Sequence, residues 1–302
     1  MKIQQLERTP PAINLGVFLG ISAFLLWGLS PIYWKEIRAV PALQIILHRI
    51  VWSFVVLSPI VIVNGQWTEL VSVLKNRTYL LILAFTSILV SANWLTYVWA
   101  VNNNYLIQAS LGYYINPLVN VLLGMVFLKE RLRRLQWLAV ILAATAVLFL
   151  TIYYGEFPWI SLLLGFSFGF YGLIRKVIQV GSLIGLTVET LLLALPATVY
   201  LIFLQTHARS SFLQLGVKTD LMLVGAGVIT TVPLLLFTIS ARRVNLSTVG
   251  FMQYIAPTCI FVLGVVIYQE TFNTAHVITF LLIWTALILY SIDSVIHLRH
   301  HI

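Results

Sequence analysis

The most constraining feature of this chain is a series of long apolar stretches without a charged residue, the longest of which runs from Thr78 to Leu128. A membrane-spanning helix needs about 20 mostly apolar residues, so this stretch alone can hold two such helices. We expect the chain to bend at Asn102–Asn104, because asparagine favours turns. The stretches are continuous, whereas a transmembrane β-barrel requires alternating apolar and polar residues.

Composition and charge also indicate a protein that is surrounded by lipid rather than by water. Hydrophobic residues make up 60% of the chain and charged residues 9%, against about 45–50% and 25% in an ordinary soluble domain. So few charges cannot cover a globular surface, which excludes soluble enzymes, disordered proteins and coiled coils. The formal net charge is +9, but the basic residues are scattered in short clusters between apolar runs, so we expect no nucleic-acid partner. The single cysteine, Cys259, excludes an internal disulfide and cysteine-based metal sites.

We predict an all-α integral membrane protein with ten transmembrane helices. Two of the runs carry a charge near their middle, Arg49 in the second and Glu189 in the seventh. The first run is as long as a full span and lacks a small-residue cleavage site, so we expect it to remain as a helix. The predicted spans are residues 15–34, 43–63, 79–101, 106–128, 135–154, 158–177, 183–204, 220–241, 246–268 and 273–294.

The distribution of positive charge predicts the orientation of these spans. Most of the 18 Lys and Arg residues lie in the two tails and in the loops that share their side of the membrane. Apart from Arg49 inside a span, the opposite set contains only Lys35, Arg38, Arg209 and Lys218. The positive-inside rule therefore places both termini in the cytoplasm.

The chain contains an internal repeat, in which residues 106–150 align with residues 246–290. The shared pattern is Tyr-Ile-x-Pro, followed by a glycine and then by a glutamate. The matching residues are Tyr114, Ile115, Pro117, Gly124 and Glu130 in the first half and Tyr254, Ile255, Pro257, Gly264 and Glu270 in the second.

This repeat divides the chain into a first five-helix repeat at 14–155 and a second at 158–295. Because five is an odd number, the second repeat enters the membrane from the opposite side, which makes the repeats inverted. Inverted repeats are typical of secondary transporters, whose substrate site lies near the middle of the membrane between the halves. The alternative is a gene duplication in a structural membrane protein.

Several segments resemble a known family. They include LGISAFLLWGLSPIYWK, NWLTYVWAVNNN, ASLGYYINPLVNVLLGMVFLKERL and VGFMQYIAPTCIFVLGVVIYQE, and they are similar to the RarD branch of the EamA family in the drug/metabolite transporter (DMT) superfamily. The resemblance covers about 14–295. It implies ten helices in two inverted halves, a bacterial inner-membrane location, and export or exchange of small organic molecules. The chloramphenicol-resistance permease label of this branch does not identify a substrate.

Arg49 and its neighbour His48 are the first candidates for a substrate-binding role. A charge in the middle of a span costs at least about 2.5–3.5 kcal/mol and normally faces a partner or a water-filled cavity. Arg49 can therefore bind a substrate or form a gate with an acid. The alternative is that the second helix starts later and Arg49 extends to the membrane surface.

Glu189 is the only acidic residue well inside a predicted span. It lies as deep in span 7 as Arg49 lies in span 2, its counterpart in the repeat. We hypothesise a contact between Arg49 and Glu189 across the pseudo-two-fold axis, and a role for the carboxylate as a proton carrier. The alternative is a structural tie between helices.

Polar residues at helical spacing provide further candidates. Asn93 and Tyr97 share a face of span 3, and Tyr113 and Asn116 lie on one face of span 4. Gln253 occupies the place of Tyr113 in the second half. We expect these side chains to line a cavity, because lipid cannot satisfy them. Hydrogen bonding between helices alone is the alternative.

Aromatic residues and prolines complete the set of candidates. Trp27 and Tyr171 can stack on a flat ligand or hold a cation, although aromatic residues also serve as interfacial anchors and core filler. Pro117 and Pro257 are equivalent in the repeat and are the best hinge candidates.

The leading hypothesis is a secondary carrier that works by alternating access. Its expected partners are a small organic solute and the lipid bilayer, while a coupling proton and a homodimer stay open. No phosphate-binding loop, H-E-x-x-H motif or acidic cluster occurs in the sequence, so we expect no enzyme activity, no cofactor and no metal. The alternatives are an integral-membrane enzyme acting on a lipid-soluble substrate and a membrane interaction protein that does not transport.

Overall fold

A computed structural model describes residues 10–129, 132–154, 157–241, 243 and 252–299. All regular secondary structure in these ranges is helical. Eight helices are long and apolar enough to cross a membrane, and two more are apolar but shorter. The chain is therefore a multi-pass membrane protein.

The helices agree closely with the apolar runs of the sequence. The structure has α1 (Pro10–Glu36), α2 (Ala42–Val63), α3 (Trp67–Lys75), α4 (Arg77–Asn102), α5 (Leu106–Leu128), α6 (Arg134–Tyr154), α7 (Trp159–Val177), α8 (Ser182–Thr206), α9 (Val217–Ala241), α10 (Ile255–Val262) and α11 (Thr274–Arg299). A π-helical segment, Leu263–Ile267, continues α10. The shorter apolar helix Trp159–Arg175 coincides with predicted span 6, whereas Ile255–Ile267 covers only the later part of predicted span 9, whose residues 246–251 lie outside the described residues. Ten crossings therefore remain a prediction.

The long apolar stretch bends where the three asparagines predict it. Helix α4 ends at Asn102, and Asn104 adopts the left-handed backbone conformation with φ of 65°. Asparagine tolerates this conformation better than most residues because its short side chain forms local hydrogen bonds. The turn brings α5 back antiparallel to α4.

Helix α3 was not predicted from the sequence. It has nine residues, and it carries Glu69 and Lys75, so it is too short and too polar to register as a span. Its buried residues Leu70 and Val73 belong to a core cluster that also contains Ile184 of α8. A short amphipathic helix of this kind is typical of the membrane interface.

The remaining core forms two large clusters. One joins α1, α2, α4 and α9 through Trp34, Ile45, Val98 and Leu223. The other joins α5, α6, α10 and α11 through side chains such as Phe280, which is 1% exposed. Together they fix the helices that carry the polar residues in the interior.

Glycines permit the closest helix approaches. A Cβ atom on Gly112 would lie 2.8 Å from the Ser161 carbonyl oxygen, and one on Gly169 would lie 2.8 Å from Val119 Cγ1. Both distances are too short for a real side chain, so α5 and α7 can pack this tightly only because these positions are glycine. Small residues have the same role in other membrane helix pairs.

Candidate functional site

Arg49 lies inside the protein rather than at its surface. The side chain belongs to the third turn of α2 and is 7% exposed. Its guanidinium carbon is 4.1 Å from the ring centroid of Trp94 and 5.3 Å from that of Trp34. Cation–π contacts contribute about 0.5–1 kcal/mol at exposed sites and about 2 kcal/mol or more when they are desolvated. The low exposure means that Arg49 does not face lipid.

The Arg49 guanidinium has no acidic partner in the described part of the chain. No carboxylate oxygen there lies within 4.0 Å of its nitrogens, and its Nε atom is buried without a hydrogen-bond acceptor. A buried charge is normally paired and hydrogen-bonded because desolvation costs several kcal/mol. Aromatic rings cover the charge, but they leave its donors unused.

His48, next to Arg49, is covered by the loop that connects α8 to α9. Its imidazole ring lies 4.8 Å from the ring of Phe212, and neither ring nitrogen has a hydrogen-bond partner among the described residues. Gln44 holds the loop in place: its Nε2 donates to the Arg209 carbonyl at 2.9 Å, and its Oε1 accepts from the Ser211 amide at 2.8 Å. Sequence reasoning missed this contact because a loop has no periodic pattern.

The tyrosines of α4 and α5 lie beside Arg49. The rings of Tyr97 and Tyr113 meet edge to face at 5.7 Å. The Tyr97 hydroxyl lies 3.1 Å from Ser30 Oγ, and the Tyr113 hydroxyl donates to Asn93 Oδ1 at 3.4 Å. The structure therefore brings together Arg49 and three of the predicted residues from two other helices.

The asparagines tie α4 and α5 to α7 in this conformation. Asn93 Nδ2 donates to the Leu164 carbonyl at 3.0 Å and to Ser167 Oγ at 3.0 Å. Asn116 Nδ2 donates to the Gly165 carbonyl at 3.2 Å. These are the hydrogen bonds between helices that the sequence allowed as the alternative to cavity lining.

Glu189 belongs to a separate polar cluster with Thr86, Tyr171 and Arg175, and Arg49 is not part of it. Its carboxylate accepts hydrogen bonds from Thr86 Oγ1 at 2.6 Å and from the Tyr171 hydroxyl at 3.1 Å, and it lies 3.9 Å from Arg175 Nε. The expected Arg49–Glu189 contact is thus absent between these two described residues. Because Tyr171 and Arg175 are one helical turn apart on α7, they reach Glu189 from the same face.

Trp27 and Gln253 lie in other surroundings. Trp27 packs against Phe24 and Phe237, with ring centroids at 5.5 and 5.8 Å. Gln253 is half-buried in the turn before α10. The helix-end residues Glu130 and Arg131 and the tail histidines His300 and His301 lie outside the described residues.

Acidic and basic groups do not assemble into a metal site within the described ranges. No group of three or more His, Cys, Asp and Glu side chains that could hold a metal ion occurs there. The described interior can therefore recognise a ligand through hydrogen bonds, aromatic rings and the unpaired guanidinium of Arg49.

Several known proteins are similar to this chain over more than nine-tenths of its length. The sequence profile of the EamA-like transporter family matches residues 14–152 and again 158–292. The chain is 48% identical over 279 residues to an uncharacterized transporter of Vibrio cholerae, with 92% of each chain covered. It is 47% identical over 280 residues to protein RarD of Salmonella typhi and 44% identical over 280 residues to protein RarD of Escherichia coli, with 93% of this chain and 95% of the relative covered in both cases. One crystal structure of similar fold has a TM-score of 0.60 at 18% identity and covers 91% of this chain and 96% of that one.

Proposed function

The chain belongs to the EamA-like transporter family of the DMT superfamily, and from that premise we propose that it is a secondary transporter. It moves small organic metabolites or drugs across the bacterial inner membrane by alternating access. The observation that carries this proposal is that one family profile matches two successive halves of the chain, 14–152 and 158–292. The names of several relatives describe transporters.

The proposed architecture is ten crossings in two inverted five-helix repeats, at 14–155 and 158–295. Helix packing supports it, because the most extensive contacts come in matching pairs. The contact between α1 and α9 corresponds to that between α7 and α4, and the contact between α1 and α10 corresponds to that between α7 and α5. In this comparison α1, α2, α4, α5 and α6 of the first repeat correspond in order to α7, α8, α9, α10 and α11 of the second. Exchanging the corresponding helices converts each of these contacts into the contact named with it. Both termini are cytoplasmic in this proposal, following the charge distribution.

The proposed substrate site lies between the two repeats and is centred on Arg49. The other members of the proposed site are on α2, α4 and α5: His48, Asn93, Tyr97, Tyr113 and Asn116. Glu189 and Tyr171 form the second polar group on α8 and α7, where Glu189 is the candidate proton carrier. Trp27 and Gln253 are assigned to the flank of the pathway near α1 and α10.

One end of the helix bundle is tied together in this conformation. The carboxylate of Glu270 accepts from the backbone amides of Leu106 and Ile107 at 2.8 and 3.0 Å, and Lys35 donates to the side chain of Asn104. These contacts join the ends of α1, α5 and α10. In the proposed orientation they close the periplasmic end, and they must break when the site opens to that side.

Counterflow in proteoliposomes tests the proposal. Purified protein is reconstituted into liposomes preloaded with a high concentration of one unlabelled solute, and uptake of the same labelled solute is followed across a panel of carboxylates, amines and neutral compounds. A carrier accumulates at least one labelled solute transiently, whereas protein-free liposomes accumulate none. Absence of counterflow for every compound in a broad panel contradicts the carrier assignment.

A further inference from the structure

We infer that the substrate of this carrier is an organic anion whose carboxylate binds the guanidinium of Arg49; this inference rests on the proposed function and assigns its substrate class. The first observation is the chemical state of Arg49. It is 7% exposed, yet its charge has no acidic partner and Nε has no acceptor among the described residues. Something outside this part of the chain must compensate the charge.

The acidic side chains of the described residues are all engaged elsewhere. Each has a polar or charged partner at hydrogen-bond or ion-pair distance, and that partner is not Arg49. The pairs are Glu36 with Lys218, Glu69 with Gln66, Glu189 with Arg175, Asp220 with the Leu213 amide, Glu270 with the Leu106 and Ile107 amides, and Asp293 with Arg133. The other acidic residues, Glu7, Glu130 and Glu156, fall outside the predicted spans and outside the described residues.

The geometry around Arg49 favours a planar anion over a spherical one. The guanidinium carbon lies over the rings of Trp94 and Trp34, at 4.1 and 5.3 Å from their centroids, and these rings offer no oxygen acceptor to the edge of the group. The N–H donors of guanidinium point along that edge, and they match the two oxygens of a carboxylate in a bidentate arrangement. An acceptor at this edge would restore the hydrogen bonds that the described protein does not supply.

Further unpartnered donors lie along the same helix. Ser53 is one turn beyond Arg49 on α2, is 0% exposed, and its hydroxyl has no partner. Thr231 on α9 is also 0% exposed and lacks a partner. It lies one turn beyond Gly227, where an added Cβ atom would be 2.4 Å from the Trp52 carbonyl carbon, so α2 and α9 are in backbone contact at this level in this conformation. Hydroxyl groups left unsatisfied in a protein interior cost free energy, so these two donors favour a ligand with oxygen atoms once the helices separate.

The rest of the substrate is expected to be apolar or aromatic. Trp34, Trp94, Tyr97 and Tyr113 surround the cation, and their rings offer faces and edges for a flat hydrocarbon body. The substrate class is therefore a monocarboxylate with an apolar body. A dianion would leave one charge uncompensated beside these rings.

The test compares acids with their own amides. Binding to the purified full-length protein is measured by thermal shift and by isothermal titration for phenylacetate, benzoate and indole-3-acetate and for the corresponding uncharged amides. We expect acids to bind at least about tenfold more tightly than amides, since a hydrogen bond to a charged group contributes more than a neutral one. Arg49→Gln should abolish the preference, Arg49→Lys should retain part of it, and Arg77→Gln, which removes an exposed arginine at the start of α4, should not change it.

Each outcome decides the inference separately from the proposed function. Equal binding of acids and amides, or an acid preference that survives in Arg49→Gln, overturns it. It is also overturned if none of the acids binds, or if chloride competes as well as the acids do, which would indicate a site for inorganic anions. Counterflow of neutral or cationic solutes unaffected by Arg49→Gln would overturn the inference and leave the carrier assignment intact. Preferential binding of acids without counterflow of any solute would support the anion site and contradict the carrier assignment.

Discussion

Replacing Arg49 with methionine should maintain or raise the stability of the ligand-free protein, although it removes a buried side chain at the centre of the proposed site. The structure supplies both sides of this balance. The substitution loses the contacts with Trp94 and Trp34 at 4.1 and 5.3 Å, which contribute about 2 kcal/mol. It also removes an unpaired buried charge, whose desolvation costs several kcal/mol. The free energy of unfolding should therefore stay constant or increase, by less than the several kcal/mol that desolvation of the charge costs.

Arg175→Met is the matched control, because Arg175 is a buried arginine that has an acidic partner. Its Nε lies 3.9 Å from Glu189 Oε1, and its Nη2 donates to the Gly181 carbonyl at 3.1 Å. Removing it leaves the Glu189 carboxylate buried without its counter-charge. Breaking a buried pair in this way typically lowers stability by about 3–5 kcal/mol.

Thermal unfolding in detergent, followed by tryptophan fluorescence, measures both variants against the wild type. The account expects Arg49→Met to melt at the same temperature or higher, and Arg175→Met to melt several degrees lower. If Arg49→Met instead destabilised the protein as much as Arg175→Met, Arg49 would have a structural partner. The Arg49 charge would then be compensated within the protein and would not require an anionic ligand.

Three further predictions address the gate, the loop and the proton. Glu270→Gln replaces a carboxylate that accepts hydrogen bonds from two backbone amides, so it should weaken the closure of the periplasmic end. In a Cys259→Ser background, Ala109→Cys should then react faster with an impermeant maleimide added from the periplasmic side. An unchanged labelling rate contradicts the proposed role of Glu270 in closing this end. Gln44→Ala removes two hydrogen bonds that contribute about 1 kcal/mol each and should raise the rate of tryptic cleavage after Arg209 at least about tenfold. The control Gln66→Ala, at a half-buried glutamine outside this loop, should leave that rate unchanged. Glu189→Gln can still hydrogen-bond Thr86 and Tyr171 but cannot release a proton, so transport by this variant should lose its dependence on pH; an unchanged pH profile excludes Glu189 as the carrier.

The elements of this fold follow from local sequence, because each helix has to be apolar along its own length. The bend at Asn102–Asn104 and the bounds of α2 and α5 agree with the predictions within a residue or two. Helix α3 escaped prediction since its nine residues are short and amphipathic. A long apolar run identifies a segment that is surrounded by lipid, and α3 is too short and too polar to form such a run.

The partners of the polar residues depend on how the helices pack, which a linear reading does not contain. Arg175 was counted with the loop charges because it lies near the end of span 6, yet the last turns of α7 place it beside Glu189. The assignment of Glu189 to Arg49 followed from equal depth in the two repeats, and depth does not specify which faces meet. Asn93 and Asn116 stand out in the sequence as polar positions on two helices, but only packing shows that their amides bind the backbone of α7.

The central claim is that the interior near Arg49 opens to each side of the membrane in turn. Ser53, one turn away on α2 and 0% exposed, is the position at which to measure it. In a Cys259→Ser background, Ser53→Cys should react with a small impermeant thiol reagent added to either side of oriented membranes, and a bound carboxylate should slow both reactions. Labelling from one side only, or from neither, would contradict alternating access.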